Sequence, residues 1–391
     1  MPLRFLTAGE SHGPALTVVV EGFPAGVAIE GALVDRDLRR RMGGYGRGGR
    51  MKIEQDHAEI VGGVRFGVSL GSPIAMLVRN LDHANWTDAM AVGGPHPGAD
   101  NARAVTRPRP GHADLAGSLK YGTHDARDVL ERSSARETAA RTAAGAVARA
   151  LLEAVGIRVT SRTVAVGGEE APPLGEGDLE RVFALPDDAP LRVLDEDTGR
   201  RMIEGIEQAR KAGDSIGGVF EVLASGVPVG LGSHVHWDRR LDGRLGGALM
   251  SIQAVKAVAV GEGIEAASRR GSEQHDAIRY ESERRGFSRP TNRAGGIEGG
   301  ISNGETVIAR GYLKPLATLP HPLESVDLVS KLTFRATRER TDTIPIVAAG
   351  VVGEAMMAWV LADELLAKFG GDHLDETRRN LESYLRELGD Y

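Results

Sequence analysis

Apolar and polar positions alternate over residues 17–22 and pass into a β-branched run, the period of a half-buried strand. Residues 75–79, 219–223 and 306–309 resemble strands as well. Two long stretches switch to helical spacing instead. Ser134-Ala-Arg-Glu137 has the form of a capping box, and the Ala-rich apolar pattern behind it predicts a helix that stops at Gly156. The second long helix begins near Asp342, takes Pro345 in its first turn, and runs to Phe369-Gly-Gly. A shorter helix is predicted over 245–258. Strands followed by a long helix in each half predict an α+β fold, built as a layered β-α sandwich.

The two halves also read as diverged copies. Gly9-Glu-Ser-His-Gly13 recurs as Gly213-Asp-Ser-Ile-Gly217. Without a gap, Val18 meets Val222, Gly22 meets Gly226, Pro24 meets Pro228 and Gly26 meets Gly230. Gly62-Gly-Val-Arg-Phe-Gly-Val-Ser-Leu-Gly71 aligns with Gly295-Gly-Ile-Glu-Gly-Gly-Ile-Ser-Asn-Gly304. Arg132-Ser-Ser aligns with Arg340-Thr-Asp, and further on Gly145 meets Gly353. The order of the matches is the same in both copies. This predicts one domain over 1–391, with pseudo-two-fold halves of about 1–160 and 205–370 and a peripheral excursion of about 161–204 between them.

Three stretches lack either period. Residues 166–196 are rich in Pro, Gly and acids, 39–50 in Arg and Gly, and 261–300 in charges and Gly, so each is expected to be a loop with little to bury. The last is expected to act as a lid.

Composition narrows the classes. Of 391 residues, 41% are hydrophobic and 26% charged, the balance of a globular protein with a sizeable core. There is no Cys, which excludes disulfides, thiol catalysis and cysteine-ligated metals. The N-terminal Met-Pro-Leu-Arg-Phe-Leu lacks the pattern of a secretory signal, and no apolar run is expected to be long enough to span a bilayer. A cytoplasmic location follows as the expectation. The formal net charge of −6 disfavours non-specific nucleic-acid binding, yet Arg39, Arg40, Arg41, Arg47 and Arg50 cluster. Arg pairs its fork with carboxylate and phosphate oxygens, so the cluster points to a small anionic ligand. A GC-rich genome accounts equally for the overall Arg excess, though not for the clustering.

Several motifs carry candidate chemistry. Gly44-Tyr-Gly-Arg-Gly-Gly49 matches a dinucleotide pattern, but an Arg-rich segment precedes it where a hydrophobic strand is needed. His234-Val-His-Trp-Asp238 could present metal ligands on one strand face, or simply end a strand. In the tight turn Gly9–Gly13, His12 is the residue able to exchange a proton near neutral pH. Its pseudo-equivalent is Ile216, so the turn itself does not require a His. Arg107-Pro-Arg-Pro-Gly-His112-Ala-Asp114 is a stiff basic loop carrying a second His, suited to easing the departure of a phosphate or to a solvated loop alone. Arg132-Ser-Ser134 and Arg340-Thr-Asp342 each open a long helix. There Ser134 and Asp342 can cap, and the free N–H groups can bind anions.

These motifs resemble those of the chorismate synthase family. The resemblance rests on Gly9-Glu-Ser-His-Gly13, Arg132-Ser-Ser-Ala-Arg-Glu-Thr138 and Arg340-Thr-Asp-Thr343. It extends to Leu241-Asp-Gly-Arg-Leu245 through Ser251-Ile-Gln-Ala-Val-Lys256 and to Gly295-Gly-Ile-Glu-Gly-Gly300, in family order over about residues 1–370. It implies a lyase that uses reduced FMN to convert 5-enolpyruvylshikimate 3-phosphate to chorismate by anti-1,4-elimination, without net redox change. By resemblance, His12 would protonate the departing phosphate, His112 would tune the flavin, and Asp342 would act at its N5. Arg41, Arg47 and Arg107 would hold substrate phosphate or NADPH. Flavin contacts would fall to Arg132, Ser133, Ser134, Gln253, Ala254, Gly299, Lys314, Pro315, Leu316, Ala317, Thr318 and Arg340, with no metal. A homotetramer is implied as well. No added flavin-reductase domain is visible, so NADPH is expected to act indirectly, through an external flavin reductase. Neither a membrane nor a nucleic acid is expected as partner. A non-catalytic phosphosugar or nucleotide sensor, which would need neither His, and an RNA-binding role for the Gly/Arg stretch are the rival readings.

Overall fold

The computed structural model describes residues 2–48, 55–93, 103–175, 177–281 and 286–391. Arg50 and the Gly49 that ends the dinucleotide-like pattern lie outside them.

Eight strands form the two principal sheets. In the first half these are β1 (Arg4–Ala8), β2 (Ala15–Glu21), β3 (Ala58–Gly62) and β4 (Ile74–Arg79). In the second they are β5 (Arg158–Val166), β6 (Gly218–Ser225), β7 (Val255–Val260) and β8 (Val307–Leu313). The first sheet has the order β1-β2-β4-β3 and the second β5-β6-β8-β7, with the short strand Glu169–Glu170 added beside β5. All these pairings are antiparallel. On β2 the residues alternate between buried and half-buried, as the period of two requires.

The longer helices among the described residues are α1 (Gly31–Met42), α2 (Asp114–Tyr121), α3 (Arg127–Ser133), α4 (Thr138–Ala154), α5 (Glu196–Lys211), α6 (Leu241–Met250), α7 (Ile346–Phe369) and α8 (Leu374–Asp390). Helices α4 and α7 pack on one another, α4 against β2 and α7 against β5 and β6, so the chain has a mixed α+β core. Their contact is close. A Cβ added at Gly145 would lie 2.3 Å from the Ala355 Cβ, so a larger residue there forces the helices apart. The same hydrogen bonds recur in both halves. Ser69 Oγ accepts from Val27 N–H at 3.0 Å and donates to Pro24 O at 2.7 Å. Ser302 Oγ accepts from Leu231 N–H at 2.8 Å and donates to Pro228 O at 2.6 Å.

Helix α7 corrects an expectation. It is long and apolar enough to cross a membrane, with a mean hydropathy of 1.6, but 94% of that window is buried inside the protein. It is apolar all round because packed elements surround it. Its one fully buried acid, Glu354, accepts from Arg40 Nη1 and Nη2 at 2.7 Å each, from Arg149 Nη2 at 2.7 Å and from Ser161 Oγ at 2.6 Å. The network joins α1, α4, β5 and α7. Arg40 is therefore buried inside a helix rather than lying in a loop, because ion pairing satisfies it.

Other local expectations also yield. The helix predicted over 245–258 ends at Met250, and β7 begins at Val255 beyond Ala254, whose φ of 68° breaks the helix. The excursion expected at 161–204 starts inside β5, a buried β-branched strand, and ends in α5. The segment 261–300 contains the helix Gly271–Gln274, the paired strands Arg279–Glu281 and Gly286–Ser288, and the strand Ile297–Glu298. Helix α1 precedes Gly44, so the strand a dinucleotide motif requires is absent there. Ser134 Oγ accepts from Arg136 N–H, but Glu137 turns to Thr7, Arg141 and Gln253, so no capping box closes.

Candidate active site

The first turns of α4 and α7 meet beside the turn Gly9–Gly13. The segment ahead of α2 and the segment after β8 complete the walls of a cavity of about 560 Å³, a size typical of small-molecule sites. Arg41, Arg47, Arg109, Arg136, Lys314 and Arg340 line it, against the carboxyls Glu339 and Asp342. Two long-helix N-termini and a surplus of cations favour an anion. No residue of 261–300 lines the cavity among those described, so nothing in this arrangement places the expected lid over it.

His12 is buried and its ring is fixed twice. Its Nδ1 lies 2.9 and 3.0 Å from the two Glu131 oxygens, and its backbone N–H donates to Glu131 Oε2 at 2.8 Å. The ring stacks on Trp86 with centroids 3.8 Å apart and planes at 23°. Burial pushes the Glu131 carboxyl up, but hydrogen bonds from His12 and Arg127 hold it below the usual range. An ionised carboxylate only accepts, so Nδ1 carries a proton and Nε2 is the nitrogen left for the cavity.

His112 is held by Asp114, 2.5 Å from its Nδ1. The same carboxylate accepts from Arg109 Nε at 2.8 Å and Nη2 at 3.0 Å, while Arg109 Nη1 donates to Thr318 Oγ1 at 2.8 Å. Burial raises the Asp114 carboxyl, and His112 and Arg109 bring it well below its usual value. Asp342 does not cap α7. Its Oδ1 accepts from Gly48 N–H at 2.6 Å, and its Oδ2 pairs with Arg47 Nη1 at 2.9 Å. Arg340 pairs with Asp82 at 2.5 Å. Burial again raises that carboxyl, but hydrogen bonds from Asn85, Arg340 and Trp86 lower it to about 2.

Most sequence candidates converge on this cavity. His12, His112, Asp342, Arg41, Arg47 and Arg340 line it, as do Ser133, Ser134, Gln253 and Ala254. So do Lys314, Leu316, Ala317 and Thr318. Four do not. Arg107 lies over the Phe334 ring at 4.1 Å, its neighbour Arg109 taking the wall instead. The Arg132 guanidinium donates to Thr7 and Gly9 carbonyls, fastening the turn that carries His12. Gly299 sits at a hairpin tip, and Pro315 is not part of the wall that its neighbours Lys314 and Leu316 line. His236 pairs with Asp238 on the surface, and among the described residues no cluster has a metal-binding arrangement.

Sequence reasoning gave no role to Glu131, Arg127 or Trp86, and took Arg109 and Asp114 only as parts of a stiff basic loop. One signal was available. Extending the match of Arg132-Ser-Ser with Arg340-Thr-Asp back by one residue pairs Glu131 with Glu339. Both carboxyls accept from Arg127, at 2.9 and 3.0 Å.

Fold and site together have the form of an enzyme for a small molecule, with two histidines lining a cavity rich in cationic side chains. A family profile described as chorismate synthase matches residues 3–366. The chain is 53% identical to a chorismate synthase of Solibacter usitatus, over 100% of both chains. It is 55% identical to one of Desulforudis audaxviator, over 99% of this chain and 98% of that one. A crystal structure of a chorismate synthase superposes with a TM-score of 0.78 at 38% identity, covering 100% of this chain and 99% of the other. The chain belongs to the chorismate synthase family, lyases of the shikimate pathway.

Proposed function

We propose that this chain converts 5-enolpyruvylshikimate 3-phosphate to chorismate, losing phosphate and a ring proton by anti-1,4-elimination. The observation that carries the reading is the convergence of His12, His112, Asp342 and six cationic side chains on one cavity. Arg41, Arg47, Arg109 and Arg340 bind and orient the anionic groups of the substrate. His12 delivers a proton from Nε2 to the departing phosphate, while Glu131 accepts at Nδ1.

Reduced FMN, when bound, supplies electron density transiently and recovers it, so no net redox change results. The cavity suits a ring system with polar edges. Leu130, Ile252, Leu313, Ala348 and Val352 give it an apolar wall. Ser133 Oγ and Gln253 Oε1 are buried in that wall without a hydrogen-bond partner. Ser133, Ser134, Gln253, Ala254 and the 314–318 segment would hold the cofactor. His112 and Asp342 would set the charge around it.

The finer expectations belong to the same proposal. The two halves are diverged copies within one domain, a reading supported by the matching strand orders and by the paired Ser69 and Ser302 contacts. The protein acts as a cytoplasmic homotetramer and draws its reduced flavin from an NADPH-dependent reductase outside the chain.

The test is phosphate release and chorismate formation from 5-enolpyruvylshikimate 3-phosphate, run anaerobically with FMN and dithionite. Turnover that needs the reduced flavin is the expected result. Folded protein that binds FMN and shows no turnover overturns the reading.

A further inference from the structure

We propose that Glu131 is a positioning residue for the reaction, fixing the tautomer of His12 and stabilising its protonated form. The inference rests on the assignment of His12 as the proton donor.

Both freedoms of the imidazole are removed. The two Glu131 oxygens engage Nδ1 at 2.9 and 3.0 Å, and Trp86 lies flat against the ring. With Nδ1–H committed to a carboxylate, Nε2 is the atom that exchanges a proton with a ligand in the cavity. The carboxylate also faces positive charge on the ring when the donor is loaded, which favours the loaded state.

The second half of the chain supplies a comparison. Its counterpart of His12 is Ile216, and its counterpart of Glu131 is Glu339. Lacking an imidazole to hold, Glu339 turns to Arg127, which also donates to Glu131. The carboxyl is thus present in both halves, but it meets an imidazole only in the first.

Charged neighbours on every side bear on this proton. From α3 come Glu131 and Arg127, and through Arg127 comes Glu339. From the turn Leu81–Asn85, the His83 Nδ1–H donates to the His12 carbonyl at 2.9 Å. Asp82 accepts from Trp86 Nε1 at 3.3 Å and pairs with Arg340, and Arg103 lies over the Trp86 ring. Glu10 adjoins in the turn itself. Glu131 is the carboxyl in direct contact with the imidazole.

The experiment compares His12→Ala, Glu131→Gln and Glu131→Asp with the parent enzyme. In Glu131→Gln, kcat is expected to fall on the order of 10²-fold, with KM for the phosphate ester within about twofold. The alkaline limb of the kcat profile is expected to move at least about one unit to lower pH. Glu131→Asp recovers part of both effects. A second readout uses the protein without substrate or flavin. The emission of Trp86, isolated by difference from Trp86→Phe, should show a pH transition that moves with the kcat limb. A kcat collapse in His12→Ala with neither the limb nor the emission transition moved in Glu131→Gln overturns the proposal alone. Turnover retained in His12→Ala overturns the donor assignment beneath it. Should Glu131→Gln fail to fold, an unmoved limb in folded Glu131→Asp overturns the proposal equally, since the shorter carboxylate cannot keep the two-oxygen contact.

Discussion

Asp342 Oδ2 lies 2.9 Å from Arg47 Nη1, and the other oxygen of the same carboxyl accepts from Gly48 N–H at 2.6 Å. One side chain thereby ties the Arg/Gly segment to the approach to α7 and brings Arg47 to the cavity wall. Replacing Asp342 with Ala removes both contacts, about 1–3 kcal/mol. Tryptic cleavage after Arg47 in the folded protein should accelerate about tenfold or more, as judged by mass analysis of a time course.

The placement of two neighbouring arginines gives a sharp contrast. Arg109 is buried on the cavity wall between Asp114 and Thr318, whereas Arg107 stacks on Phe334 outside it. Arg109→Ala should reduce kcat/KM by on the order of 10²-fold, and Arg107→Ala should leave it within about threefold. Steady-state kinetics under anaerobic conditions decide between them.

Gly145 sets the spacing of the two long helices. Gly145→Val places a branched side chain where even a Cβ meets Ala355 at 2.3 Å. Overpacking of this kind costs about 1–3 kcal/mol or more. The expected readout is a lower urea midpoint with the m value unchanged.

Glu354 governs the response to acid. Burial pushes its carboxyl up, yet Arg40 and Arg149 hold it well below the usual range. A carboxyl more acidic in the folded than in the unfolded chain stabilises fully above the unfolded value of about 4.3, and that stability is lost as pH falls towards the folded value. Glu354→Gln leaves the buried Arg40 and Arg149 with Asp37 as the buried carboxylate they share, at a cost of about 3–5 kcal/mol near neutral pH. Its stability should then fall less steeply than the parent's below about pH 4.5. Denaturant midpoints measured from pH 7 to pH 3 report both effects.

Much of the architecture is local and was legible in the amino-acid order. The strands over 17–22 and 75–79 each commit one face to the core, whereas the strand over 219–223 is an apolar run buried on both faces. The two long helices follow from apolar spacing. His12 and His112 were legible as candidates too, because their motifs combine residue types that a turn does not require, whereas Asp342 read as a cap that it does not make.

The remainder depends on what each side chain meets. No local pattern separates Arg40, paired in the core with Glu354, from Arg47 at the cavity wall. Desolvation makes each Arg side chain seek a carboxylate, and only the packing of α1 on α4 and α7 decides which one it finds. The helix expected over 245–258 failed at Ala254 for a related reason, since pairing β7 with β8 outweighed helical propensity. The partnership of His12 with Glu131 spans 119 residues of chain. Sequence by itself determined the strands, the long helices and the chemistry present. Tertiary structure decided which charges face one another, because electrostatic partners are chosen by distance in space.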